Sequence, residues 1–95
     1  MKIKVKFISP LSDLTGKKED LIELFDGATV SDVLGVLTTE HGKEFEEYVL
    51  NLETHEIQPY IQVMVNARNI GSLNGLKTKL NDSDIIRLFP PVSGG

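Results

Sequence analysis

Residues Lys2 to Phe7 alternate without a break, with Lys2, Lys4 and Lys6 on one side of an extended chain and Ile3, Val5 and Phe7 on the other. A period of two means a β-strand with one wet face and one buried face. The apolar face must be covered, and the rest of the chain has to supply the cover.

The strand ends at Pro10, and Gly16 marks a turn. Asp20-Leu21-Ile22-Glu23-Leu24-Phe25 reads as a second strand, and the short connection makes the pair antiparallel. Asp26-Gly27 breaks the pattern. A helix follows, with Thr29 as its N-cap and Asp32 favourably placed in its first turn. Val30, Val33, Leu34 and Leu37 share one face at i, i+3, i+4 and i+7. Gly42 stops this helix. Phe45, Val49 and Leu52 have the spacing of a second short helix, and Glu53 to Glu56 reads as a solvated loop.

Strand character returns over Tyr60 to Asn66, with Ile61, Val63 and Val65 on the buried side. Asn66 to Gly75 has the glycine and asparagine content of a turn. Leu76 and Leu80 are expected at the edge of the core, and Asn81 to Asp84 forms another turn. Ile85 to Phe89 is the last strand, stopped by Pro90-Pro91 because proline cannot donate to the ladder. Two antiparallel strands, a helix crossing one sheet face and a returning C-terminal strand describe an α+β chain of the β-grasp type. Its mixed sheet packs on one main helix, and the last strand lies parallel beside the first. The expected organisation is a domain over residues 1–91 and a tail over residues 92–95.

Parity assigns the other sheet face. If Ile86 and Leu88 point inward, Ile85, Arg87 and Phe89 point outward. Met64 then faces outward from its strand, and Ile8 points opposite to Ile3, Val5 and Phe7. Apolar residues grouped on one outer face suggest a docking surface, made here by Phe89, Arg87, Ile8 and Met64. Lys2, Lys4 and Lys6 add cations that could meet an acidic partner.

Composition removes whole classes of function. With 95 residues the chain is one domain with one core and no deep active-site cleft. A net charge of -4 argues against a general affinity for nucleic acid. There is no cysteine, which excludes disulfides, thiolate metal sites and catalytic thiols. If the chain handles sulfur, it does so without a thiol of its own. No secretory leader or membrane-length apolar run is found, so the expectation is a cytoplasmic protein with no membrane partner. The two histidines, His41 and His55, stand in no catalytic or metal-binding spacing and read as surface or helix-end residues, so no metal site is expected. Glu44, Glu46 and Glu47 read as a solvated helix face.

The end of the chain carries the most specific signal. Asp84-Ile85-Ile86-Arg87-Leu88-Phe89-Pro90-Pro91-Val92-Ser93-Gly94-Gly95 resembles the C-terminus of the molybdopterin synthase small subunit and of the archaeal small modifier proteins. Val65 to Ile70 and Lys2 to Phe7 resemble the same family's strand-to-turn segment and first strand. The stretch from Thr39 to Pro59 matches no family motif. Thiamine-pathway sulfur carriers share the fold and the Gly-Gly end, but their tails usually lack the Phe-Pro-Pro run. Physical chemistry agrees with a working tail. Prolines favour an extended chain, and two glycines without Cβ atoms can thread a narrow channel.

The resemblance implies a ubiquitin-like carrier that is not itself an enzyme. Its reacting group would be the carboxylate of Gly95, carried on a tail of Gly94, Ser93, Val92, Pro91 and Pro90. A separate ubiquitin-activating-type adenylyltransferase would supply the ATP site. This agrees with the sequence, which has no glycine-rich phosphate loop of the nucleotide-binding kind. A sulfur nucleophile would then leave a thiocarboxylate for delivery to the molybdopterin synthase large subunit. If a lysine of a target protein attacked instead, the product would be an isopeptide bond and the chain a modifier. A ubiquitin-fold binding domain with an inert tail is the third reading. The family's partner face is centred on the position of Phe89.

Overall fold

The computed structural model describes residues 1–90. The first alternating run forms β1, Lys2–Phe7, with Ile3, Val5 and Phe7 buried as parity requires. A five-residue helix, α1 (Leu11–Thr15), follows where only a turn was expected. It buries Leu11 and closes on Gly16, whose φ of 74° is the left-handed conformation that glycine adopts without cost.

The second strand, β2, is Glu19–Glu23 and pairs antiparallel with β1 from Lys6↔Glu19 to Lys2↔Glu23. It ends earlier than its apolar run. Leu24 still exchanges backbone hydrogen bonds with Met1 just past the last strand pair, whereas Phe25 leaves the sheet and is 64% exposed. Only Ile22 of this strand is fully buried, which is the burden of an edge strand.

The main helix, α2, runs Val30–His41. Thr29 caps it as expected, and Asp32 completes the reciprocal arrangement. The Thr29 N–H donates to Asp32 Oδ2 at 2.8 Å, and the Asp32 N–H donates to Thr29 Oγ1 at 3.4 Å. Val30, Val33, Leu34 and Leu37 are its buried stripe. Gly42, with φ at 90°, ends α2 and begins α3, Lys43–Val49, which buries Phe45 and Val49. Residues Glu53 to Glu56 are exposed, as a solvated loop should be.

Three further strands complete the sheet: β3 (Gln62–Val65), β4 (Arg68–Asn69) and β5 (Ile85–Phe89). The segment read as a turn after Val65 thus contains a two-residue strand, followed by single 3-10 turns at Ile70–Ser72 and Gly75–Lys77. The strand order is β2-β1-β5-β3-β4. Only β1 and β5 run parallel, in the register Val5↔Ile86 and Phe7↔Leu88; the other pairs are antiparallel. This is the β-grasp fold, a mixed sheet curled around one main helix.

One apolar cluster joins the sheet's inner residues Ile3, Val5, Phe7, Ile22, Val63, Val65, Ile86 and Leu88 to the stripe of α2 and to Phe45 and Val49. Full burial of each such side chain contributes about 1.5–3 kcal/mol. Leu80 is buried in the same cluster, and Leu76 packs at its margin. No helix among the described residues is long and apolar enough to cross a membrane.

Candidate functional site

The last strand sits at the centre of the sheet, between β1 and β3. A strand held on both edges gives whatever follows it a fixed point of departure. Phe89 and Pro90 are the last described residues, and both are half-buried. The reacting residue expected from the sequence, Gly95, lies outside the described residues, as do Gly94, Ser93, Val92 and Pro91.

The entry to β5 is fastened by a polar cluster. Lys2 N–H donates to Asp82 Oδ1 at 2.7 Å, and Ser83 N–H donates to the Lys2 carbonyl at 2.8 Å. Asp84 Oδ2 accepts from Asn81 N–H at 2.8 Å, while its Oδ1 accepts from Asn66 Nδ2 at 3.0 Å. Asn66 has φ at 55°, a left-handed conformation that asparagine tolerates better than most residues. There its N–H donates to the Ile85 carbonyl at 2.7 Å and its Oδ1 accepts from Ile85 N–H at 3.0 Å. One residue thereby joins the end of β3 to the start of β5. Its carbonyl also accepts from Arg87 Nη1 at 3.1 Å, which lays the guanidinium along the sheet.

The outward face is read by register. One row is Leu21–Lys4–Ile85. The next is Glu19–Lys6–Arg87–Met64–Asn69. The last contains Phe89 opposite Gln62. Ile8 extends this row, because its N–H donates to the Leu88 carbonyl at 3.0 Å and carries the parallel register one step beyond Phe7↔Leu88. Phe89, Arg87, Ile8 and Met64 thus belong to one face and one end of the sheet. Ile8 is 45% exposed, whereas Phe89, Arg87 and Met64 are half-buried among their neighbours.

Charge is unevenly spread over this face. The chain is net acidic, yet Lys4, Lys6 and Arg87 cluster here. None of the three forms an ion pair among the described residues. Lys6 stands opposite Arg87 on one side and Glu19 on the other, so the like-charge pair is flanked by a single carboxylate. A surface groove of about 560 Å³ between Leu24, Phe25 and the Gly35 side of α2 shares none of these residues.

Sequence reasoning missed two features. The sequence places Asn66 at the end of a strand and the start of a turn without indicating that it joins β3 to β5; the signal is an asparagine at a strand end, which suits a left-handed corner. His41 was read as a surface or helix-end residue. It does end α2, but its side chain is only 7% exposed, packed edge-on to Phe7 with ring centroids 5.6 Å apart and against Phe45 at 5.5 Å. His55 is exposed in its loop, as expected.

Comparison with known proteins bears on the whole chain. The model of the ThiS family matches residues 5–95. Small archaeal modifier protein 3 of Haloferax volcanii is 33% identical over 95 residues, covering 100% of both chains. A protein of Archaeoglobus fulgidus named as a sulfur carrier is 31% identical over 67 residues, covering 70% of this chain and 74% of that one. The crystal structure of SAMP1 from Haloferax volcanii superposes with a TM-score of 0.85 at 27% identity, over 100% of both chains. A Pyrococcus furiosus structure named as molybdopterin converting factor, subunit 1, superposes with a TM-score of 0.77 at 30% identity, over 97% of this chain and 99% of that one.

Proposed function

Because the chain belongs to the ThiS family of ubiquitin-like carriers and modifiers, we propose that its working group is the α-carboxylate of Gly95 and that it carries sulfur there as a thiocarboxylate. The observation that carries this reading is the family match running through to Gly95 in a chain without cysteine. Sulfur then has to ride on a carbonyl carbon.

A carboxylate with an ordinary pKa of ~3.5 is ionised at neutral pH and is a poor acyl donor. Its oxygen attacks the α-phosphorus of ATP, pyrophosphate leaves, and an acyl-adenylate forms. A hydrosulfide-level sulfur nucleophile then attacks the carbonyl carbon, the bond to AMP breaks, and AMP leaves with a thiocarboxylate in its place. The nucleotide site belongs to a separate ubiquitin-activating-type adenylyltransferase, so ATP is that enzyme's substrate. The described part of the chain holds the partner. Phe89, Ile8 and Met64 supply apolar contact, and Lys4, Lys6 and Arg87 supply attraction to acidic groups. On this reading the large subunit of molybdopterin synthase receives the sulfur, supported by the likeness to the molybdopterin converting factor subunit.

A second reading has its own support in the end-to-end identity with small archaeal modifier protein 3. There the activated carbonyl of Gly95 is attacked by a lysine amine of a target protein, AMP leaves, and an isopeptide bond forms. Intact-mass analysis of the protein from its native cell separates the two. A gain of about 16 Da, one oxygen replaced by one sulfur, marks the carrier. Gly-Gly remnants on lysines of other proteins mark the modifier. Neither product in cells that hold the protein would overturn both.

A further inference from the structure

Asp20 on β2 and His41 at the end of α2 are 21 positions apart in the chain and adjacent in the fold. His41 Nε2 and Asp20 Oδ2 lie 3.8 Å apart, too far for a hydrogen bond. Both atoms are buried, and neither has a hydrogen-bond partner among the described residues. The side chains are 7% and 14% exposed. Buried polar atoms without hydrogen-bond partners cost free energy, and His41 Nε2 and Asp20 Oδ2 face each other across a gap that an ion could occupy.

The geometry points to a divalent transition-metal site, of the zinc class, formed by His41 Nε2 and the carboxylates of Asp20 and Glu40. One ligand atom from each of the three lies within 4.8 Å of the other two. With metal–ligand bonds of about 2.0–2.1 Å, two ligands of a tetrahedral ion stand about 3.3 Å apart, so the 3.8 Å separation closes on a metal with a shift of about half an ångström. One imidazole nitrogen and two carboxylates suit Zn²⁺ and its neighbours rather than Ca²⁺ or Mg²⁺, which take all-oxygen sets. The first two ligands are preorganised. The ring of His41 is wedged against Phe7 and Phe45. Asp20 Oδ1 accepts from Leu21 N–H at 3.0 Å, which leaves Oδ2 between His41 Nε2 at 3.8 Å and the Lys17 ammonium at 3.5 Å. Glu40 is the exposed third ligand, with water completing the shell.

Lys17 is the competitor. Its ammonium lies 3.3 Å from Glu40 Oε1 and 3.5 Å from Asp20 Oδ2, where it balances the two carboxylates. Its side chain is nearly half exposed and can swing into solvent when a metal ion takes the carboxylates. An ion bound there ties the edge strand β2 to the end of the main helix.

The test is calorimetric titration of Zn²⁺ into the full, tag-free chain at neutral pH, with thermal melts in parallel. One saturable equivalent and a raised melting temperature are expected. Asp20→Asn and Glu40→Gln should each weaken binding by about tenfold or more. Lys17→Met should tighten it. His55→Ala, which alters the only other histidine, should leave it unchanged. His41→Gln should abolish binding, and because that ring is packed in the core, Asp20→Asn serves as the decisive variant if His41→Gln fails to fold. Co²⁺ in place of Zn²⁺ should give visible ligand-field bands that Asp20→Asn removes. No saturable uptake of Zn²⁺ overturns the site. Uptake unchanged in Asp20→Asn overturns it equally.

Discussion

The amide of Ile8 donates to the carbonyl of Leu88 at 3.0 Å, so the parallel ladder between the first and last strands continues one step past the end of β1. Leu88 is buried at the sheet's inner face, while Ile8 is exposed at the outer one. The exit of β5 is therefore anchored on one side of the sheet and leaves apolar surface exposed on the other.

Adjacent residues of β5 should accordingly respond in opposite ways. Leu88→Ala removes a fully buried side chain and should cost about 2–5 kcal/mol of stability. Phe89→Ala should leave the melting temperature within a few degrees of the parent and weaken partner binding by about tenfold or more, as loss of an interface anchor does. Melting temperature and affinity for the activating enzyme are measured on both variants. A severely destabilised Phe89→Ala chain that binds normally when folded would refute the partner face.

The main helix carries a second prediction. Thr29→Ala removes the cap that accepts from Asp32 N–H and should cost about 1 kcal/mol, with Thr29→Ser retaining most of it. Leu34→Ala, in the buried stripe, should cost about 2–4 kcal/mol. Urea denaturation checks both, and a change in Leu34→Ala below about 0.5 kcal/mol would contradict the packing of α2 on the sheet.

These expectations rest on elements that differ in how legible they were. β1 and β5 could be read from the chain because each buries one face, which imposes alternation. The main helix could be read because its cap and its 3.6-residue stripe agree. The short helix Leu11–Thr15 could not, since one buried leucine makes no periodicity. β4 has two exposed residues and exists only as a partner of β3. Phe25 looked like strand because it is apolar, yet the β1–β2 register stops at Lys2↔Glu23 and leaves it outside the sheet. The outward face could be derived from parity once the inward residues were assigned. The meeting of Asp20 with His41 could not, because it depends on how the sheet's edge approaches the helix end. The family itself was legible from the last twelve residues, Asp84 to Gly95, and the match over residues 5–95 agrees.

Asn66 is expected to matter more than an exposed turn residue usually does. Asn66→Ala keeps an unfavourable left-handed backbone and loses the side-chain bonds to Ile85 N–H and Asp84 Oδ1. The expected loss is about 1 kcal/mol or more. Asn66→Gly relieves the backbone but not the bonds and should fall between parent and alanine variant. Equal stability of all three chains in denaturant titrations would contradict the fastening role of this corner.

Lys17 gives a pH prediction with a definite sign. Its hydrogen bond to Glu40, then the nearby charge of Asp20, hold its pKa above the ordinary 10.5. A raised pKa in the folded state contributes stability that is fully present below the unfolded pKa and is lost as pH rises through the folded one. The window therefore lies above 10.5, and salt should screen the effect because the ammonium is solvated. An NMR titration of the lysine side chains should find Lys17 titrating late in the parent and closer to its ordinary value in Glu40→Gln. A Lys17 titration that Glu40→Gln does not move would contradict the contact.

The proposal that Gly95 is the working group is tested most directly by ATP–pyrophosphate exchange with the cognate activating enzyme, comparing the full chain with one that lacks Gly95. The described core and strand ladders are built by residues 1–90, and the shortened chain is expected to melt at the parent temperature. Its exchange should fall to background, because the new terminal carboxylate stops one residue short of the nucleotide. Exchange at the parent rate in the folded, shortened chain would contradict the account.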